Sequence, residues 1–161
     1  MGKTSMRVSQ YAALLFMLPA VGTLQAAQDS SENQRGAATR QVKMHDIRIA
    51  IGSTYLTATL EDNPTARSFV KLLPLTITLK DYGDAEKISG ALPHRLSQDA
   101  APESAAGATG DIAYYAPWGN IAFYRGHGPE AAGVIKIGKI TSGIEALNQP
   151  GSMRVTISPG N

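Results

Sequence analysis

Cysteine is absent from the 161-residue chain. That excludes a disulfide framework, a thiol nucleophile, a thiolate metal site and a lipid-modified N-terminal cysteine. Histidine is scarce: His45, His94 and His127 stand far apart, and none has the i, i+4 partner of a zinc-binding helix. No metal site and no cofactor is therefore expected. Gly138 and Gly143 make neither a P-loop nor a dinucleotide fingerprint, and no serine sits in a nucleophile elbow. No apolar run reaches the length of about 20 residues that spans a bilayer.

Excess charge is missing too. The formal net charge of +2 falls to zero once Lys3 and Arg7 near the N-terminus are set aside. A neutral chain gives no reason to expect nucleic acid or an anionic membrane as partner.

Those two basic residues open a recognisable pattern. Lys3 and Arg7 precede a short apolar core, Tyr11 to Leu18, which Pro19 and Gly22 break, and small residues follow at Ala26 and Ala27. This is the layout of a cleavable signal peptide over residues 1–26. Cleavage after Ala26 fits best, with Leu24 larger than ideal two residues before it; cleavage after Ala27 is the alternative. The expected location is the periplasm or the exterior, with no membrane anchor. Residues 27–43 are polar, have no apolar period and read as a flexible linker. A domain over residues 44–158 remains, and its roughly 115 residues can bury a core without metals or disulfides.

Within that domain, alternation dominates. Ile47, Ile49 and Ile51 predict a strand, Gly52-Ser53 a turn, and Tyr55 to Leu60 the returning strand. Asn63 is a good N-cap and Pro64 a good first residue for a helix carrying Ala66, Phe69, Val70 and Leu73, which Pro74 ends. Leu75, Ile77 and Leu79 alternate in a third strand before a turn at Tyr82-Gly83-Asp84. Lys87-Ile88 marks a possible short strand. Strands over Ile112–Tyr115 and Ile121–Tyr124 flank a turn at Pro117–Asn120. Val134–Ile140 and Met153–Ile157 supply two more, with a helical turn at Ile144–Leu147 between them. Residues 98–109 and 126–133 read as loops. The expected fold is mainly β: a closed barrel of about eight strands, which removes exposed edges, with one short α-helix and a helical turn.

This order of elements resembles the cyclophilin fold. Asn63-Pro64-Thr65-Ala66-Arg67-Ser68-Phe69 is similar to the cyclophilin helix start. Gly110-Asp111-Ile112-Ala113-Tyr114 through Phe123 is similar to its hairpin, the segment from Val134 to Leu147 to its long strand and turn, and Arg154-Val155-Thr156-Ile157 to its closing strand. A closer resemblance is to the smaller bacterial cyclophilin-like family, through Asp62–Arg67, Leu72–Thr76, Lys80-Asp81-Tyr82 and Gly110–Asn120, over nearly all of residues 45–158. The resemblance brings one activity into view, prolyl isomerisation. It asks for a guanidinium near the proline amide and an apolar pocket for the ring. Arg95, in Pro93-His94-Arg95-Leu96, and Phe123 match cyclophilin letters. The segments Ser97–Ala101 and Gly126–Glu130 replace the remaining pocket blocks. The resemblance also implies a possible role as accessory domain to a redox partner, since relatives are at times joined to flavodoxin-like domains.

The residues themselves point to binding. Tyr114, Tyr115, Trp118, Phe123 and Tyr124 fall within eleven positions and make up half of the ten aromatics. Alternation puts Tyr114 and Tyr115 on opposite faces, one filling the barrel and one outside. Trp118, in a turn, either rims a ligand site or folds over the barrel end as a plug. Asp111, beside a glycine, reads as a turn-capping carboxylate rather than an acid or base. Arg67 reads as a solvated helix-face residue. The candidate ligand site is Arg95, Tyr115, Trp118, Phe123 and Tyr124, for a small ligand or extended peptide, with Arg95 as polar anchor. A weak prolyl isomerase or chaperone, and a partner-serving accessory domain, are the alternatives.

Overall fold

The computed structural model describes residues 45–160; the expected signal peptide and the expected linker lie outside the described residues. β1 (His45–Ile51) turns Ile47, Ile49 and Ile51 inward and pairs with β2 (Thr54–Leu60), whose Leu56, Ala58 and Leu60 face the same interior. The next element is α1 (Pro64–Val70). The Asn63 side chain accepts the Ala66 N–H at 2.8 Å and so satisfies one of the donors that a helix start leaves open. Its amide also donates to the Lys136 carbonyl at 2.9 Å, while Ala66 and Phe69 are wholly buried against the barrel interior. The helix ends at Val70, short of the Leu73 expected on it; Leu72 and Leu73 follow, their N–H groups donating to the Phe69 and Val70 carbonyls, before Pro74.

The remaining strands are β3 (Leu75–Tyr82), β4 (Glu86–Ser89), β5 (Ser104–Ala106), β6 (Asp111–Tyr115), β7 (Asn120–Tyr124), β8 (Glu130–Ala132), β9 (Val134–Ser142) and β10 (Met153–Pro159). Eight of them close a barrel in the order β1-β10-β3-β4-β7-β6-β9-β2, with every neighbouring pair antiparallel. The helical turn at Ile144–Asn148 is a 3-10 helix that buries Leu147. The interior is filled by side chains, among them Tyr114, Phe123, Ile121, Ile137 and Leu79. The expected mainly β, eight-stranded closed barrel with one helix and a helical turn is the fold observed.

Two expectations change. The segments read as loops, 98–109 and 126–133, each contribute a three-residue strand. β5 and β8 pair as a separate antiparallel ribbon, Ser104 opposite Ala132. Ser-Ala-Ala and Glu-Ala-Ala are too short to carry an alternation of polarity, so nothing in the sequence marks them. β4 is also longer than Lys87-Ile88, and its phase is unusual: Lys87 and Ser89 point inward while Glu86 and Ile88 face out.

Lys87 has no exposed side-chain surface, and a buried ammonium requires partners. It donates to the Gly151 carbonyl at 2.6 Å and lies 2.8 Å from Asp81, its cross-strand neighbour on β3. Asp81 also pairs with Arg125 at 2.9 Å and accepts the Gly151 N–H at 2.6 Å. The Lys87 hydrogen bond, then that of Gly151, pull the Asp81 carboxyl from 3.8 down to about 2, with further attraction from both cations. A depressed carboxylate stabilises the fold above its unfolded value and loses that contribution as pH falls toward its folded value. The melting temperature is therefore expected to fall between pH 4 and 2 more steeply in the wild type than in Asp81→Asn. Parallel acid melting curves for the two proteins would contradict this.

Candidate functional site

The outer face of the barrel carries a second, smaller apolar cluster: Ala113, Ala122, Tyr124 and Val134, with Ile88, Ala105, Tyr115 and Ala131 against it. Strand register explains its shape. One cross-strand row holds Tyr82, Glu86 and Tyr124 on β3, β4 and β7. The next holds Ile88, Ala122 and Ala113, and a third holds Asn120, Tyr115 and Val134. Two alanines at the centre, ringed by aromatic side chains, make a hollow in an otherwise convex wall. Pro129 and Ala131 join the lining from the segment around β8. The pocket is about 150 Å³ in volume.

Trp118 stands at the mouth, half exposed, on the turn between β6 and β7. Its ring meets Tyr115 edge-on at 5.3 Å and Tyr82 edge-on at 5.8 Å, with interplanar angles of 80° and 89°. Edge-to-face contacts of this kind hold an exposed ring without burying it.

Tyr124 forms part of the floor and is held by close backbone approach. A Cβ at Gly107 would lie 2.1 Å from the ring, and one at Gly128 2.4 Å from it. The two glycines are themselves joined, the Gly128 N–H donating to the Gly107 carbonyl at 2.9 Å. Burial, with the negative charges of Glu86 and Asp111, pushes the Tyr124 phenol up to about 12, so it stays a neutral donor at physiological pH. Burial also raises the Glu86 carboxyl, which makes no salt bridge among the described residues. Asn120 is 2% exposed and donates its amide to the Ser89 carbonyl, while its Oδ1 has no hydrogen-bond partner among the described residues.

A model of the Cyclophilin-like family matches residues 49–158. The chain belongs to this family. Among solved structures, a hypothetical protein of Archaeoglobus fulgidus, determined in solution, is similar to it with a TM-score of 0.57 at 20% identity. That match covers 75% of this chain and 98% of the other, and it shows a shared fold. No curated protein matches the chain.

In this cyclophilin-like barrel the five expected site residues divide. Tyr115, Trp118 and Tyr124 line one pocket. Phe123 does not: strand alternation turns it into the barrel interior, where it is 1% exposed beside Ile121 and Tyr114. Arg95 is not a lining residue either. Its guanidinium donates to the Ala116 carbonyl and its Nε lies against the face of Gly119, so it braces the turn that carries Trp118. Arg95 and Phe123 therefore do not share a groove. The charged group in the pocket is instead Glu86. Of the two readings of Trp118, the structure has it rimming the pocket.

Tyr114 fills the barrel and Tyr115 faces out, as alternation requires. Asp111 caps its turn, accepting the Ala108 N–H at 2.9 Å, and pairs with Lys136 at 2.7 Å. Arg67 lies on the helix surface, paired with Asp62. Tyr82, Glu86, Ile88 and Asn120 are among the lining residues that the sequence did not single out for the site. Their only signal is parity with Tyr124 across three strands, which needs the register to read.

Proposed function

We propose that residues 44–158 form an exported cyclophilin-like binding module that holds a small ligand, or one side chain of an extended peptide, in the outer-face pocket. The observation that carries this reading is the hollow itself. Alanines at its centre and a half-exposed tryptophan at its mouth leave apolar surface uncovered in a folded domain. Export, to the periplasm or beyond, rests on the leader pattern of residues 1–26. Prolyl isomerisation draws less support, because Arg95 is committed to the Ala116 carbonyl and Phe123 to the barrel core. A role beside a redox partner rests on resemblance alone.

The test is an NMR titration with 1-pentanol, a neutral probe of suitable size. Shifts are expected at Ala113, Ala122 and the Trp118 indole N–H. Trp118→Ala is expected to weaken binding about tenfold, the loss of about 1.4 kcal/mol of contact. Shifts centred on Arg95 instead, or none at saturating probe, would overturn the proposed site.

A further inference from the structure

The one charged residue that lines the pocket is an acid, Glu86. The other ionisable lining residues are Tyr82, Tyr115 and Tyr124; no lysine, arginine or histidine lines the pocket. An anion would meet a carboxylate and no counter-charge. A cation would meet the Glu86 carboxylate, which has no salt-bridge partner among the described residues.

The rings add to this. Trp118 stands nearly perpendicular to both Tyr82 and Tyr115, so the three rings form corners rather than a parallel slot. A slot suits a flat ring stacked between faces. Corners of electron-rich rings suit a compact cationic head. The volume, about 150 Å³, is of the size that holds a six-carbon ring in other proteins.

Resting on the reading of this pocket as the binding site, we propose that its ligand is a small organic ammonium ion, either free or at the end of a peptide side chain. Glu86 neutralises the charge, and Tyr82, Tyr115 and Trp118 surround the head. The upward shift of the Glu86 carboxyl, caused by partial burial, fits a carboxylate held in the pocket wall without a cation beside it.

The test compares three probes that share a pentyl chain on the full chain at pH 7.5: pentylammonium, 1-pentanol and hexanoate. Trp118 is the only tryptophan in the chain, so its fluorescence and indole N–H signal report on this pocket alone. Pentylammonium is expected to bind about tenfold more tightly than 1-pentanol, and hexanoate more weakly than either. Glu86→Gln is expected to bring the ammonium and alcohol affinities together, while Glu145→Gln, at a carboxylate that does not line the pocket, leaves their ratio unchanged. Equal or tighter binding of the alcohol, or of hexanoate, would overturn the cation inference and leave the binding site standing. Failure of every probe to move the Trp118 signals would overturn both.

Discussion

Lys87→Ala is expected to lower the free energy of unfolding by about 2–5 kcal/mol, the range found when a long buried side chain is truncated and its cavity left open. The lysine stem runs through the barrel interior with no exposed surface, and its ammonium ties the Gly151 carbonyl and Asp81 together. Truncation removes the packing and both polar contacts. Lys87→Met separates these effects. It keeps the length and most of the volume, and Asp81 keeps Arg125 and the Gly151 N–H as partners. Replacing a buried charge by an apolar residue of similar shape is often close to neutral. The methionine variant is therefore expected to lose less than half of what the alanine variant loses. Asp81→Ala should be worse than Lys87→Met, because it leaves the ammonium buried with only a carbonyl for company. Urea denaturation of the three variants checks this order. An alanine variant within about 0.5 kcal/mol of wild type, the scatter of ordinary surface substitutions, would contradict it.

Gly107→Ala is expected to damage fold and pocket at once. The added methyl would lie 2.1, 2.2 and 2.4 Å from three atoms of the Tyr124 ring. The ring cannot retreat freely, since Gly128 closes in from the loop after β7 and is bonded to Gly107. Overpacking of this kind costs about 1–3 kcal/mol. The relief open to the ring is toward the hollow it lines, so binding of 1-pentanol and pentylammonium should fall as well. The double variant Gly107→Ala with Tyr124→Ala distinguishes this steric cause from general damage to the loop. If the clash is the cause, the two substitutions together destabilise less than the sum of each alone. Strict additivity in chemical denaturation would point elsewhere.

How much of this was legible without the structure differs by element. β1, β2, β3 and β10 each alternate cleanly, and their inward residues are those the pattern names. The Asn63-Pro64 helix start is equally local, because an N-cap and its N–H partner lie within one turn. Tyr114 and Tyr115 sort correctly because adjacent residues on a strand must diverge. Where the reading stopped, distant partners decide. In Glu86-Lys87-Ile88-Ser89 a local rule puts the isoleucine inside. The structure puts the lysine there, since Asp81 and a carbonyl 64 residues further on satisfy it. That inversion is what carries Glu86 and Ile88 to the outer face. Phe123 and Tyr124 pose the same problem in reverse: both are aromatic, and only register against β4 and β6 shows which one reaches the pocket. Arg95 matched by letters, but an irregular segment has no period from which to infer where its side chain goes.

The hairpin of β6 and β7 stores two messages in alternate letters. Ile112, Tyr114, Ile121 and Phe123 keep the barrel shut, while Ala113, Tyr115, Ala122 and Tyr124 shape what lies outside it. Substitutions at one parity need not disturb the other, so the outer surface is free to change while the interior stays the same. Deleting or inserting a single residue in either strand would have the opposite effect, swapping the two vocabularies and losing both.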